Sequence, residues 1–272
     1  MLGLRLALIA ACWLQLSPSS QTPDAGNAEE RVPFHIGERL TYTIKWDPPW
    51  FLFFLPAMEA GEAEILLAGE TEYQNGKALK IAFKAHSSGA LTKMAGMKVD
   101  DEYVFLTEPG TFCTLAVSGK IREGKRRRQI DVQYLRDSGR LHFRELDEST
   151  NPPKLKRDDT KSRIPPCVHD PLSALYFYRT SPLQIGRVQM LTIGDNDKVK
   201  EIRASVEKQE PISAPAGKFS AWKISTTALM GNLFKESGQF KLWLSADDRK
   251  APVQFEVNTR LGRVLGKLKS QQ

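Results

Sequence analysis

The residues of this chain whose types can do chemistry are three cysteines, four histidines and three adjacent aspartate pairs. Cys12 lies in an N-terminal apolar run and leaves the thiol count however that run is processed. Cys113 and Cys167 remain, an even number that in an oxidising compartment favours a disulfide; two separately buried thiols are the alternative. His35, His86, His142 and His169 are scattered, and no two share the helical spacing that holds a metal. Asp100-Asp101, Asp158-Asp159 and Asp247-Asp248 are neighbours, which in a strand point to opposite faces and in a turn cap amides. His169-Asp170 reads as the start of a helix rather than a catalytic dyad. There is no serine elbow, phosphate-cradling glycine loop or reactive-cysteine signature. The expectation is a non-enzymatic protein with no catalytic residue, no cofactor and no metal; a hydrolase is the distant alternative.

Binding chemistry is easier to place. Prolines bracket Trp50, Phe51, Leu52, Phe53, Phe54 and Leu55, six consecutive large apolar residues in a stretch too proline-rich for a central strand. Left in water, each such side chain forgoes about 1.5 to 3 kcal/mol of burial, so something must cover them. Either they form a flap over the protein's own interior, or they make a stiff tip that enters the outer part of a bilayer, with Trp50 suited to the interface. Lys125, Arg126, Arg127 and Arg128 are a second candidate. They are either the solvated face of a ribbon or an anionic-surface contact, where each cation near a negative membrane contributes about 1 kcal/mol.

The elements that must carry these residues are mostly strands. From Gly37, the residues Leu40, Tyr42, Ile44 and Trp46 alternate with polar ones, the period of a strand with one buried face. Similar runs follow at Ala60–Gly69, Leu79–Ala85, Lys98–Leu106, Thr111–Val117, Ile121–Leu135 and Leu141–Leu146, with turn signals such as Gln74-Asn75-Gly76-Lys77 between them. Ser87–Met97 reads as a loop or a single helical turn, and Asp147–Arg163 as a polar linker. One helix is expected from Asp170-Pro171 to about Arg179: the carboxylate caps the first turn and the proline sits where no amide is needed. Its Leu172, Leu175 and Tyr176 face is expected to lie on the concave side of the sheet. Further strands run to Leu268. The fold class is mostly β, an antiparallel meander forming an open or incomplete barrel, or two packed sheets, with one main helix near 170–180.

The chain has 272 residues, 41% hydrophobic and 26% charged, enough for a substantial core. Leu6–Leu16 is too short to span a bilayer and reads as an export signal covering 1–22. The alternative is a lipoprotein signal, with Ile9-Ala10-Ala11-Cys12 acylated at Cys12. A flexible leader at 23–33 and a single all-β domain of two halves at 34–268 complete the organisation. The net charge of +7 drops by one unit when Arg5 is removed. For an exported chain that excess favours anionic lipid or cell-envelope partners over nucleic acid. The expected location is the periplasm or outer membrane of a bacterium, and the expected partners are a lipid or membrane surface, or an envelope protein.

Gly37-Glu38 with Leu40, Tyr42 and Ile44, then Ala60-Gly61-Glu62-Ala63, then Asp170 to Tyr176 ending at Arg179, resemble the bacterial exported family called domain of unknown function 3108. So do Ala216-Gly217 with Phe219, and Leu242-Trp243-Leu244-Ser245 followed by Asp247, Asp248, Arg249, Pro252 and Val253. The resemblance covers about Phe34 to Leu268. It implies an exported all-β envelope protein and no catalytic residues; the Trp46–Met58 insert is longer and more apolar than the family pattern. A more distant likeness to lipoprotein-carrier half-barrels suggests apolar-ligand binding by analogy.

Overall fold

The computed structural model describes residues 32–52, 54–88, 92, 98–227, 239–259 and 262–272. The expected signal at 1–22, Cys12, most of the leader, Phe53 and most of the loop Ser87–Met97 lie outside the described residues.

Fourteen strands form one antiparallel sheet. They are β1 (Arg39–Asp47), β2 (Met58–Tyr73), β3 (Gly76–Ser87), β4 (Asp100–Thr107), β5 (Thr114–Glu123), β6 (Arg126–Leu135), β7 (Arg140–Asp147) and β8 (Lys154–Ser162), followed by the helix α1 (Pro171–Thr180). After it come β9 (Val188–Asp195), β10 (Lys198–Ala214), β11 (Gly217–Thr227), β12 (Gln239–Ser245), β13 (Pro252–Thr259) and β14 (Gly262–Gln271). The spatial order is β8-β7-β6-β5-β4-β3-β2-β1-β14-β13-β12-β11-β10-β9. Two meanders are thus joined where the first strand pairs with the last, Leu40 opposite Gln271 and Asp47 opposite Arg263.

Turn chemistry follows the sequence. Gln74 and Asn75, at φ 48° and 64°, form the two-residue turn between Tyr73 and Gly76, the left-handed pair that matches strand twist. Sheet edges β8 and β9 exchange no ladder hydrogen bonds, yet they approach. Arg157 and Lys161 of β8 both donate to Asp197 in the β9–β10 turn, each at 2.8 Å. Between the edges runs the segment before the helix: His169 N donates to Thr192 O at 2.9 Å, and Gly194 N to His169 O at 2.8 Å. The sheet therefore curls without closing into a barrel.

Two expectations are corrected. The polar linker at 147–163 contains β8, an edge strand: its Lys154–Ser162 sequence has no apolar alternation because neither face is covered. The helix begins as expected, with Asp170 accepting from the amides of Leu172 and Ser173. Its fully buried side, however, is Ser173, Tyr176, Tyr178 and Arg179, while Leu172 and Leu175 are only half-buried against the core. The buried residues are more polar than the leucine spacing implies: Arg179 and Ser173 meet the Glu38 carboxylate and the Thr114 hydroxyl, while Tyr176 and Tyr178 pack in the aliphatic clusters around Leu40 and Leu191.

Candidate functional site

In a meander, alternate turns fall at opposite ends of the sheet, and here the two ends differ. At one end, called the helix end, α1 fills the inner face. Arg179 is 0% exposed and Glu38 is 1% exposed. Arg179 grips both carboxylate oxygens of Glu38, at 2.5 and 2.7 Å, and also donates to the carbonyls of Pro33 and Arg249. Gln271 and Tyr176 donate to the same carboxylate, and the guanidinium lies 5.0 Å from the ring centroid of Phe34. One buried pair thus ties the helix to the start of β1, the end of β14 and the β12–β13 turn. Asp170 caps the helix and accepts from Thr114 Oγ1 at 2.9 Å, while its own amide donates to that hydroxyl at 2.7 Å. Burial raises its pKa above the usual carboxylate value despite these bonds.

Cys113 and Cys167 are joined, with alpha carbons 5.1 Å apart, pinning the start of β5 to the approach to the helix. His169 packs beside them, 3.6 Å from Nε2 to Cys167 Sγ, with Nδ1 3.0 Å from the Phe112 carbonyl.

At the other end, among the described residues, no helix covers the same inner face. On β1, Leu40 and Tyr42 are buried, but Ile44 and Trp46, further along the same face, are half-buried. On β3 the change comes between Ile81 and Phe83, on β4 between Phe105 and Tyr103, on β12 between Leu242 and Phe240, and on β14 between Leu268 and Val264. Strand pairing puts these on one face: Phe83 is opposite Tyr103, and Tyr103 opposite Gly119. Tyr103 lies over that glycine, where a Cβ would fall 2.6 Å from the ring. Burial raises the Tyr103 hydroxyl above its usual range.

The sequence-predicted residues sit on the rim of this open end. Residues Trp50–Leu52 form a short 3-10 turn between β1 and β2. Trp50 is 86%, Phe51 53% and Phe54 67% exposed, whereas Leu52 and Leu55 are half-buried. Lys125–Arg128 occupy the β5–β6 hairpin tip on the same rim; Arg126 pairs with Glu123 and Arg128 with Glu145, while Lys125 and Arg127 are exposed. A polar cleft of about 400 Å³ at the helix end is lined by Tyr73, Lys77, Glu108, Arg136 and Arg140 among others. There Glu108 accepts from Thr111 and Arg136, which hold it below the usual carboxylate range, the reverse of a poised general acid.

Sequence reasoning missed the Arg179–Glu38 pair and the open half of the inner face. The first had a signal, since both residues stand in the motifs that carry the family resemblance. The second depends on where the helix stops along the strands.

A family model described as "Protein of unknown function (DUF3108)" matches residues 41–269. No curated protein matches the sequence. Among solved structures, a beta-barrel-like protein of domain of unknown function DUF1849 from Brucella abortus is similar, with a TM-score of 0.55 and 10% identity, over 87% of this chain and 97% of that one. That likeness is one of fold. An exported-protein structure described as having a YmcC-like fold, from Bacteroides fragilis, aligns with a TM-score of 0.37 and 11% identity over 88% of this chain and 97% of that one. A structure described as a lipoprotein, from Parabacteroides distasonis, aligns at 0.30 and 9%, over 88% and 96%.

Proposed function

The chain belongs to the DUF3108 family of proteins of unknown function, and from that premise we propose a non-enzymatic, exported cell-envelope protein that binds an apolar or lipid-like ligand in the open half of its inner face. The N-terminal Leu6–Leu16 run supports export. One juxtaposition carries the reading. Half-buried Ile44, Trp46, Phe83, Tyr103, Phe240 and Val264 line a continuous apolar floor, and the rim of that floor bears exposed Trp50, Phe51 and Phe54 together with Lys125 and Arg127. An apolar floor accepts acyl chains through area burial at roughly 25 cal/mol per Å². A rim with aromatic tips and cations suits the interface from which such a ligand is taken.

The test is displacement of a fluorescent fatty acid from the purified mature chain, wild type against Ala85→Trp, which places a ring on the floor beside Ala63 and Phe83. Saturable binding, weakened more than about tenfold (about 1.4 kcal/mol) in a variant of unchanged melting temperature, is the expected result. No binding by the wild type, or equal binding by both, removes the proposal.

A second reading, pairing with an envelope protein partner, is favoured by one feature. Edge strand β9 and the turn before it expose Ile185, Val188 and Met190, whereas edge strand β8 is blunted by charge.

A further inference from the structure

We infer that Cys113, Cys167 and His169 form a redox-gated site for a soft divalent or monovalent metal ion, closed while the disulfide is intact and opened when it is reduced. One potential ligand atom from each residue lies within 4.8 Å of the other two. The arrangement has features that a bare disulfide does not need. The Phe112 carbonyl can only accept, so His169 Nδ1 carries the proton, and the lone pair of Nε2 faces Cys167 Sγ at 3.6 Å. A backbone carbonyl that fixes the tautomer of the imidazole is the usual support of a histidine metal ligand. The ring is braced from behind by Phe177, with centroids 4.9 Å apart.

Arg136, itself paired with Glu108, donates from Nη2 to the carbonyl of Cys113 at 2.8 Å and so fixes the backbone that carries this thiol. Two thiolates on one tetrahedral ion stand about 3.8 Å apart, given metal–sulfur bonds of about 2.3 Å. With alpha carbons at 5.1 Å, side-chain rotation supplies that separation. Two thiolates and one neutral imidazole leave a fourth position open, the pattern of a site that also takes water or an exogenous ligand. Soft thiolates select zinc or cuprous ion over magnesium or calcium.

The redox step balances as thiol–disulfide exchange. A dithiol reductant gives two electrons and two protons to the Cys113–Cys167 bond and becomes a disulfide itself. The metal ion then displaces the two thiol protons. Closing the site reverses this, with an oxidising disulfide as acceptor. The inference does not depend on lipid binding and concerns the opposite end of the molecule.

The experiment uses the mature chain, reduced anaerobically with a dithiol, desalted, and titrated with cobalt(II) and then zinc(II). The oxidised chain is the control. The expected result is one cobalt per chain with a thiolate charge-transfer band and intense tetrahedral ligand-field absorption, displaced by zinc and absent from the oxidised chain. His169→Gln should weaken binding by more than about tenfold. Zinc should also raise the melting temperature of the reduced wild type. Absence of the charge-transfer band, an unchanged affinity in His169→Gln, or a reduced chain that zinc neither binds nor stabilises would each overturn the inference.

Discussion

The helix end and the open end of the sheet are built from the same alternating strands, yet among the described residues a helix seals one and none seals the other. Along β1 a single face runs from buried Leu40 to half-buried Trp46. The difference is the ten-residue helix and the polar groups that seat it. A buried ion pair such as Arg179–Glu38 is a poor source of net stability, because desolvation of both charges offsets most of their attraction. It is a good device for orientation: the guanidinium fork meets both carboxylate oxygens, two carbonyls also accept from it, and Gln271 and Tyr176 donate to the carboxylate. The polar anchor therefore sets where the helix lies, and so how much of the apolar floor stays open.

The sharpest way to break this contrast is to remove one member of the anchor. Arg179→Ala leaves Glu38 buried and unpaired, and a loss of about 3 to 5 kcal/mol is expected in chemical denaturation. Glu38→Ala should do the same, and the double variant should lose much less than the sum of the two. Additive losses would show that the pair is not a unit. Next in size is the disulfide. Replacing Cys113 and Cys167 by alanine together should cost about 4 kcal/mol in the chain-entropy account of a loop spanning 54 positions. A loss under about 1 kcal/mol would mean that the helix is held without it.

A smaller effect is expected at the seam. Hydrogen bonds from Arg157 and Lys161 hold Asp197 well below the usual carboxylate range. Its native-state value is depressed, so its contribution is complete above the unfolded value of about 3.9 and is lost as pH falls through and below that point. Asp197→Asn should be less stable than wild type at neutral pH and converge with it in strong acid. Parallel curves throughout would place the seam's strength elsewhere. At the open end the expected stability effect is smallest. Trp50→Ser, Phe51→Ser and Phe54→Ser remove exposed side chains, and each should change stability by less than about 0.5 kcal/mol.

Much of the helix end was legible because its signals are local. Asp170-Pro171 marks a helix start whatever surrounds it, and Leu40 to Trp46 reads as a strand by alternation alone. The cysteine pair followed from counting. What escaped has no local signature. Edge strand β8 is exposed on both faces, so hydrophobic periodicity has nothing to detect in Lys154–Ser162. Arg179 stands at helical spacing with Leu172 and Tyr176, but its partner is 141 positions away, and only the folded chain brings them together. Cys113, Cys167 and His169 converge for the same reason: the search for metal spacing within one helix could not see ligands shared between β5 and the approach to α1. The apolar tip at Trp50–Leu55 was visible, but its exposure and its position on the open rim were not.

The central claim is that the open rim meets lipid. Liposome co-sedimentation of the mature chain tests it most directly, with vesicles of zwitterionic lipid with and without an anionic component. The comparison is wild type against the combined Trp50→Ser, Phe51→Ser and Phe54→Ser variant. The account predicts that the wild type sediments with anionic vesicles, and that the variant stays in the supernatant with its melting temperature unchanged. Equal sedimentation of both chains, or none by either, would contradict it.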